Sequence, residues 1–200
     1  MSSDRRTRLT PDQRRAQLVA SGVAFLADRP LDDLTMEVLS ERVGVSRGLL
    51  FHYFGSRQGL HREVVMTAAA ALLAASVPRD DLAPRERLDD TLTRIVAFVR
   101  DHRGTFFSLV RGVASGDPEV RREVDRARDV TAGWVTDGFL ELGATDSHVL
   151  RVALRSWVHF AEEVLVELAL GTDMPASEVV AFLSRSAFGV VGSVTGDAAG

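Results

Sequence analysis

Residues 39–60 read LSERVGVSRGLLFHYFGSRQGL, and the reading of this stretch decides the fold. Leu39 to Val43 close a short helix. Gly44 then supplies a corner with φ > 0, which glycine adopts without steric cost. Ser46 caps a second helix that runs to about Tyr53, and Gly55 breaks it. Leu39, Val43, Val45 and Leu50 are spaced to pack the two helices together. The N-terminal end of the second helix is left facing outward, where its free amides and positive dipole end attract phosphate. The residues expected to point outward are Arg47, Gly48, Leu49, Phe51, His52 and Tyr53. An exposed helix of about 8 residues behind a tight turn has the dimensions of one that enters a DNA major groove.

On both sides of this stretch the chain continues as helix. Upstream, Thr10-Pro11-Asp12-Gln13 opens a helix with a capping box and a proline in the first turn. Ala16, Val19, Ala20, Val23 and Leu26 follow helical spacing, and Asp28-Arg29-Pro30 ends the element. A short helix starts at Thr35 and ends near Val43. Downstream, Ser56 caps a helix reaching about Ser76. Residues 77–84 hold two prolines and three charges in eight residues and form the clearest linker. Five more helices are expected near 84–102, 103–115, 117–142, 146–170 and 175–194, with a frayed tail at 196–200. Strand-like alternation is absent. The expected fold is all-α with about nine helices: a helix-turn-helix three-helix domain at 1–55, a connecting helix at 56–77 and a helical bundle at 84–195.

Composition bounds the chemistry. At 46% hydrophobic and 26% charged, the 200 residues fit a soluble globular protein rather than a disordered chain. There is no cysteine, which excludes disulfides, thiol nucleophiles and cysteine metal sites. All 24 basic residues are arginine, so there is no Schiff-base or phosphate-loop lysine. The net charge of −4 by itself argues against a nucleic-acid partner. It conceals a split: residues 1–62 carry ten arginines against seven acids, a net of +3, while 63–200 carry fourteen against twenty-one, a net of −7. Arg5, Arg6 and Arg8 form either an arm into the minor groove or a disordered tail adding nonspecific charge. No stretch reaches the roughly 18 uncharged apolar residues of a membrane span, and Met1–Arg8 is no secretory signal. A cytoplasmic protein without a membrane partner is expected.

Leu39-Ser40, Val43-Gly44-Val45-Ser46, Gly48, Leu50-Phe51, Phe54, Ser56-Arg57 and Leu60 together resemble the signature of TetR/AcrR-family transcriptional regulators. The resemblance extends over residues 10–76, and the helix count agrees for the remainder. It implies a regulator that binds a double-stranded palindromic operator as a homodimer, most often a repressor released by a small apolar or amphipathic effector. Alternatives are an activator, or a regulator of this type answering to a protein partner. Carried over by position, Thr35 matches a backbone-phosphate contact, and Ser46 and Arg47 open the recognition helix. Arg47 is placed to bind guanine through two hydrogen bonds. Gly48 lets the backbone approach the bases, Leu49 touches a thymine methyl, and His52 and Tyr53 reach bases or phosphate. Arg57 stands where the family usually has a phosphate-binding lysine, Phe51 where it has tyrosine, and Ser40 where alanine is common.

Beyond residue 84, aromatic residues recur at helical spacing. They read either as bundle core or as the wall of a ligand cavity. The resemblance favours the cavity and implies Phe106, Phe107, Val110, Trp134, Trp157, His159 and Phe160 as ligand-binding residues, in a ligand-sensing and dimerisation domain. Helices eight and nine are expected to form the dimer, with small residues at 187, 189, 192 and 193 permitting close approach. His159 and Glu163 lie at i, i+4 on one face. His159-x-x-Glu162 superficially suggests a metal-dependent helical-bundle enzyme, but that chemistry needs more carboxylate and histidine ligands than are available. No nucleophile–base–orienter pattern is visible. Neither catalytic residues, a metal site nor a cofactor is expected.

Overall fold

Helix boundaries in this chain follow from their end chemistry. The computed structural model describes residues 9–27, 29–111 and 117–196. Arg5, Arg6, Arg8, Asp28, the end of the expected sixth helix with Gly116, and the tail beyond 196 lie outside the described residues. Nine α-helices and no strand occur among the described residues: α1 Pro11–Phe25, α2 Met36–Val43, α3 Arg47–Phe54, α4 Arg57–Ala75, α5 Pro84–Asp101, α6 Arg103–Arg111, α7 Pro118–Glu141, α8 His148–Val164 and α9 Ala176–Thr195. A single 3-10 turn, Leu31–Asp33, precedes α2.

The N-caps are side-chain oxygens holding otherwise unpaired amides. Thr10 and Gln13 form a reciprocal capping box. Thr35 accepts from Val38, Ser46 from Leu49, Ser56 from Gly59 and Ser147 from Leu150. Gly44, at φ 69° and ψ 38°, makes the left-handed corner between α2 and α3. Ser40 donates across that corner to the Val45 carbonyl at 2.6 Å.

Two buried clusters form. The first unites α1 to α4 around Leu18, Phe25, Leu39, Leu50, Phe54, Leu60 and Val64, and receives Leu109 from α6 and Val120 from α7. The second lies among α5 to α9 around Leu92, Val96, Phe106, Phe139, Trp157 and Leu183. Leu72 of α4 packs against both, so α4 runs from one core into the other. A second junction is backbone on backbone: the Gly104 amide donates to the Ala27 carbonyl at 3.4 Å. A Cβ on Gly104 would sit 2.1 Å from the Leu26 carbonyl oxygen, so the α6–α1 approach requires glycine.

The helix expected over 146–170 is α-helical only to Val164 and continues as a wider π-helical stretch, Leu165–Leu170. Carbonyls near its end are taken up by arginines: Arg100 donates to Ala169 and Met174, and Arg103 to Leu170. Among the described residues one helix, Ala176–Thr195, is long and apolar enough to cross a membrane by length and composition. Here Val179, Leu183, Ala187 and Val191 seat it in the second core.

Candidate nucleic-acid interface and interior cavity

The α2–turn–α3 unit buries Leu39, Leu50 and Phe54 and presents the opposite side of α3 to solvent. Ser46, Arg47, Gly48, Phe51, His52 and Arg57 are exposed, and Thr35, Leu49 and Tyr53 half-buried. Phe51 is 50% exposed, an unusual setting for a phenyl ring on a helix that also carries Phe54 in the core. A Cβ added to Gly48 would meet only Ser46 Oγ, at 3.9 Å, so no contact inside the protein requires glycine there. Tyr53 stands edge-on to His52, ring centroids 5.5 Å apart.

Two of these side chains are held by carboxylates of their own chain. Arg47 donates to Glu37 at 2.8 Å across the helix-turn-helix. Its guanidinium holds the Glu37 carboxyl below the usual range, with backbone hydrogen bonding adding to the effect. Arg57 donates to the Asp32 carbonyl and stands 3.8 Å from the Asp32 carboxylate. One turn on, His61 Nε2 donates to the Leu34 carbonyl at 2.7 Å, which fixes the tautomer. Burial pushes the imidazole pKa down, Arg57 pushes it the same way, and the Leu34 carbonyl and Asp32 oppose. Glu37, Asp32 and His61 were not singled out from the sequence. Their roles depend on the α2–α3 crossing and on the 3-10 turn, which no local pattern announces.

Behind this module lies an apolar cavity of about 110 Å³. α4 contributes Ala69, Leu72 and Leu73, and its C-cap Ser76 joins them; facing them are Phe106, Val110, Arg128 and Trp157. A smaller hollow of about 50 Å³ adjoins it, lined by Pro78, Pro84, Trp134 and Phe139. Of the expected cavity residues, Phe106, Val110 and Trp157 line the larger space and Trp134 the smaller. Phe107, His159 and Phe160 line neither. Phe107 follows Phe106 by about 100° of helix rotation, so when Phe106 turns inward Phe107 turns out. His159 is exposed and stands 4.0 Å from Glu162. Phe160, 42% exposed, packs beside Phe182 of α9, centroids 6.1 Å apart, on the outer surface.

Arg128 of α7 was also missed. Its guanidinium grips Glu162 of α8 through contacts of 2.9–3.1 Å, both side chains mostly buried at the cavity wall. The signal was present: Val124, Arg128, Thr131 and Val135 repeat at helical spacing, so a charged residue sits in an inward stripe.

The N-terminal residues 18–64 match the family described as bacterial regulatory proteins, tetR family. Residues 84–190, over half of the chain, match the family described as tetracyclin repressor-like, C-terminal domain. The chain belongs to the TetR family of DNA-binding transcriptional regulators. It is similar to a TetR-family regulator from Streptomyces coelicolor, with TM-score 0.79, 23% identity, and coverage of 93% of this chain and 85% of that one. A TetR-like regulator from Rhodococcus sp. RHA1 superposes with TM-score 0.69 at 22% identity, over 91% of this chain and 97% of that one. In Bacillus subtilis (strain 168), the uncharacterized HTH-type transcriptional regulator YxbF is 27% identical over 103 residues. That match takes in 50% of this chain and spans 27% of the length of that relative. TetR-family membership makes the chain a DNA-binding regulator rather than an enzyme, with a helix-turn-helix in its N-terminal part. Among the described residues, no group of three or more His, Asp or Glu side chains is arranged to hold a metal ion.

Proposed function

We propose that this TetR-family chain is a ligand-responsive repressor: it binds a palindromic operator as a homodimer and leaves it when a small apolar or amphipathic effector fills the interior cavity. The observation that carries this reading is the course of α4. It starts three residues after α3 ends, and its last turns wall the cavity. A ligand that shifts α4 shifts the recognition helix, provided it binds the two dimer states with different affinity.

In this reading Arg47 reads a base and Gly48 permits close approach to the bases. Leu49 and Phe51 offer apolar contact to thymine methyls, His52 and Tyr53 reach bases or phosphate, and Thr35, Ser46 and Arg57 hold phosphates. In the same reading residues 1–55 bind DNA, 56–77 connect, and 84–195 sense and dimerise, while α4 packs in the first core and reaches the second through Leu72. One recognition helix reads a few base pairs, and a twofold dimer places two copies about 34–36 Å apart. The surface suited to that dimer is on α8 and α9. Val149 and Val152 are exposed there together with Phe160 and Phe182, an apolar patch of the kind that marks an interaction surface. The protein acts in the cytoplasm, and its acidic body favours approach to DNA by the basic end.

The test is direct. Sedimentation should give a dimer, and footprinting upstream of the chain's own gene or a neighbouring gene should show a protected palindrome. The logarithm of affinity should fall linearly with the logarithm of salt concentration. A monomer, or equal affinity for every duplex, overturns the reading.

A further inference from the structure

Two adjoining hollows, the larger and the smaller lobe, have different outer walls and share one wall of five residues, the neck. Phe106, Trp157 and the Arg128–Glu162 pair face the larger lobe; Trp134 and Phe139 face the smaller. Ser76, Thr91 and Thr131, together with Leu88 and Val135, line both. Three hydroxyl-bearing residues therefore stand on the wall common to two hollows whose remaining lining is mostly apolar.

Their hydrogen bonding is partly committed. Ser76 Oγ donates to the Leu72 carbonyl at 2.7 Å, and Thr131 Oγ1 to the Ala127 carbonyl at 3.0 Å. Each retains oxygen lone pairs and has no proton left to give. Thr91 Oγ1 accepts from Arg94 at 3.1 Å and keeps its own proton. The neck thus offers two acceptors and one donor. Among the described residues, the charged side chains on the larger lobe are Arg128 and Glu162 and that on the smaller is Arg87, and each arginine is paired with a glutamate, Arg128 with Glu162 and Arg87 with Glu141. A ligand carboxylate would have to displace Glu162, and a ligand ammonium would have to displace Arg128.

We infer that the effector is an uncharged molecule with two short apolar arms of unequal length, joined by one linkage that both donates and accepts a hydrogen bond, such as a secondary amide or a secondary alcohol. The linkage sits at the neck among Ser76, Thr91 and Thr131. An apolar cavity of about 150 Å³ accommodates a benzene molecule, so lobes of this size take arms of only a few carbons each. The position matters for regulation. Arg94, the donor to Thr91, also donates to the Ala75 and Val77 carbonyls at the end of α4, so a ligand at the neck touches the clamp that holds the helix leading to the recognition helix. This inference rests on the reading of the cavity as an effector site.

The chain has two tryptophans, one facing each lobe, and they make the test selective. The probes are N-ethylpentanamide, its ester isostere ethyl pentanoate, which lacks the donor, sodium pentanoate and n-butylbenzene. Each is titrated at pH 7 into the intact protein and into Trp134→Phe and Trp157→Phe, following tryptophan emission. The amide is expected to saturate, to change the emission of both tryptophans, and to bind at least tenfold more tightly than the ester, with no saturable binding of pentanoate. Thr131→Val and Ser76→Ala, checked for folding by circular dichroism, should each narrow the amide-to-ester ratio. Equal binding of amide and ester, pentanoate binding as tightly as the amide, or a response from Trp157 alone overturns the two-armed ligand while leaving an effector cavity in place. Binding of n-butylbenzene without the amide has the same meaning. Failure of all four probes, in a protein that binds its operator, overturns the cavity reading as well.

Discussion

Arg47, the first residue of α3, donates to Glu37 in the first turn of α2 at 2.8 Å, so the side chain proposed to read a base is held by a carboxylate of its own chain. Both partners are largely exposed, and such a pair contributes little to folding. Its consequence lies in recognition: a bidentate contact to guanine must compete with Glu37. Arg47→Ala should cost about 1–3 kcal/mol of discrimination at one base pair of each half-site and little elsewhere. Glu37→Gln should act in the opposite sense. It removes a negative charge from the DNA-facing side and releases Arg47, so both duplexes bind more tightly and the operator, which alone presents the guanine in register, gains more than the scrambled duplex. Fluorescence anisotropy with both duplexes measures this. Unchanged affinity of Glu37→Gln for both duplexes would reject the competition.

Arg57 makes a different prediction, because the contact proposed for it is to DNA phosphate rather than to a base. It opens α4 and reaches the Asp32 carbonyl, yet stays about half exposed with further guanidinium donors available. Arg57→Ala should weaken binding to every sequence alike and lower the salt slope by about one unit. A thermal melt of the free protein separates this from lost packing against the 3-10 turn. A variant with the wild-type salt slope and weaker operator binding would place Arg57 outside the phosphate contacts.

The reason some of this was legible in the sequence and some was not is visible at particular residues. The limits of α3 are local chemistry, a serine cap at 46 and a glycine at 55, and the structure moves its end by only one residue, to Phe54. The same holds for α1, α2 and α4, each opened by a hydroxyl residue. The cavity lining was only half legible. Phe106 and Phe107 are equally apolar, and which of them turns inward is set by how α6 docks on α1 and α4. α8 has two apolar faces: Leu154 and Trp157 go to the core, while Val152 and Phe160 go to the outer patch. Hydrophobicity alone does not tell these faces apart. Arg47–Glu37 and Arg128–Glu162 join residues 10 and 34 apart, and depend on helix crossings.

Gly104 tests the joint between the two cores. A methyl group there would lie 2.1 Å from the Leu26 carbonyl oxygen, a backbone atom that cannot swing aside. Gly104→Ala must therefore push α6 from the end of α1 or distort one of them, at a cost of about 1–3 kcal/mol as in other overpacked sites. For a chain of this size that corresponds to a fall in Tm of roughly 2–4 °C for each kcal/mol. Urea denaturation should show a lower midpoint. Since α6 also lines the cavity through Phe106 and Val110, the response of DNA binding to effector should weaken in the same variant. A midpoint equal to wild type would show that the α6–α1 contact opens without cost.

His61 makes the stability of the DNA-binding module depend on pH. The ring is half-buried between α4 and the segment before α2, donating to the Leu34 carbonyl, with Arg57 and Asp32 as its charged neighbours. Burial holds its pKa below the value of about 6.5 that it regains on unfolding. The unfolded chain therefore binds the proton more readily than the folded one. Stability from this group is complete above about pH 6.5 and is lost as the pH falls through that value toward the lower folded pKa. Protonation would also set an imidazolium beside the Arg57 guanidinium, whose Nε lies 3.4 Å away. Between pH 7.5 and 5.5 the wild-type melting temperature should drop further than that of His61→Gln, whose amide can still donate to Leu34 and does not titrate. Parallel pH profiles for the two proteins would mean that His61 is protonated equally in both states and contributes nothing to the acid sensitivity of the module.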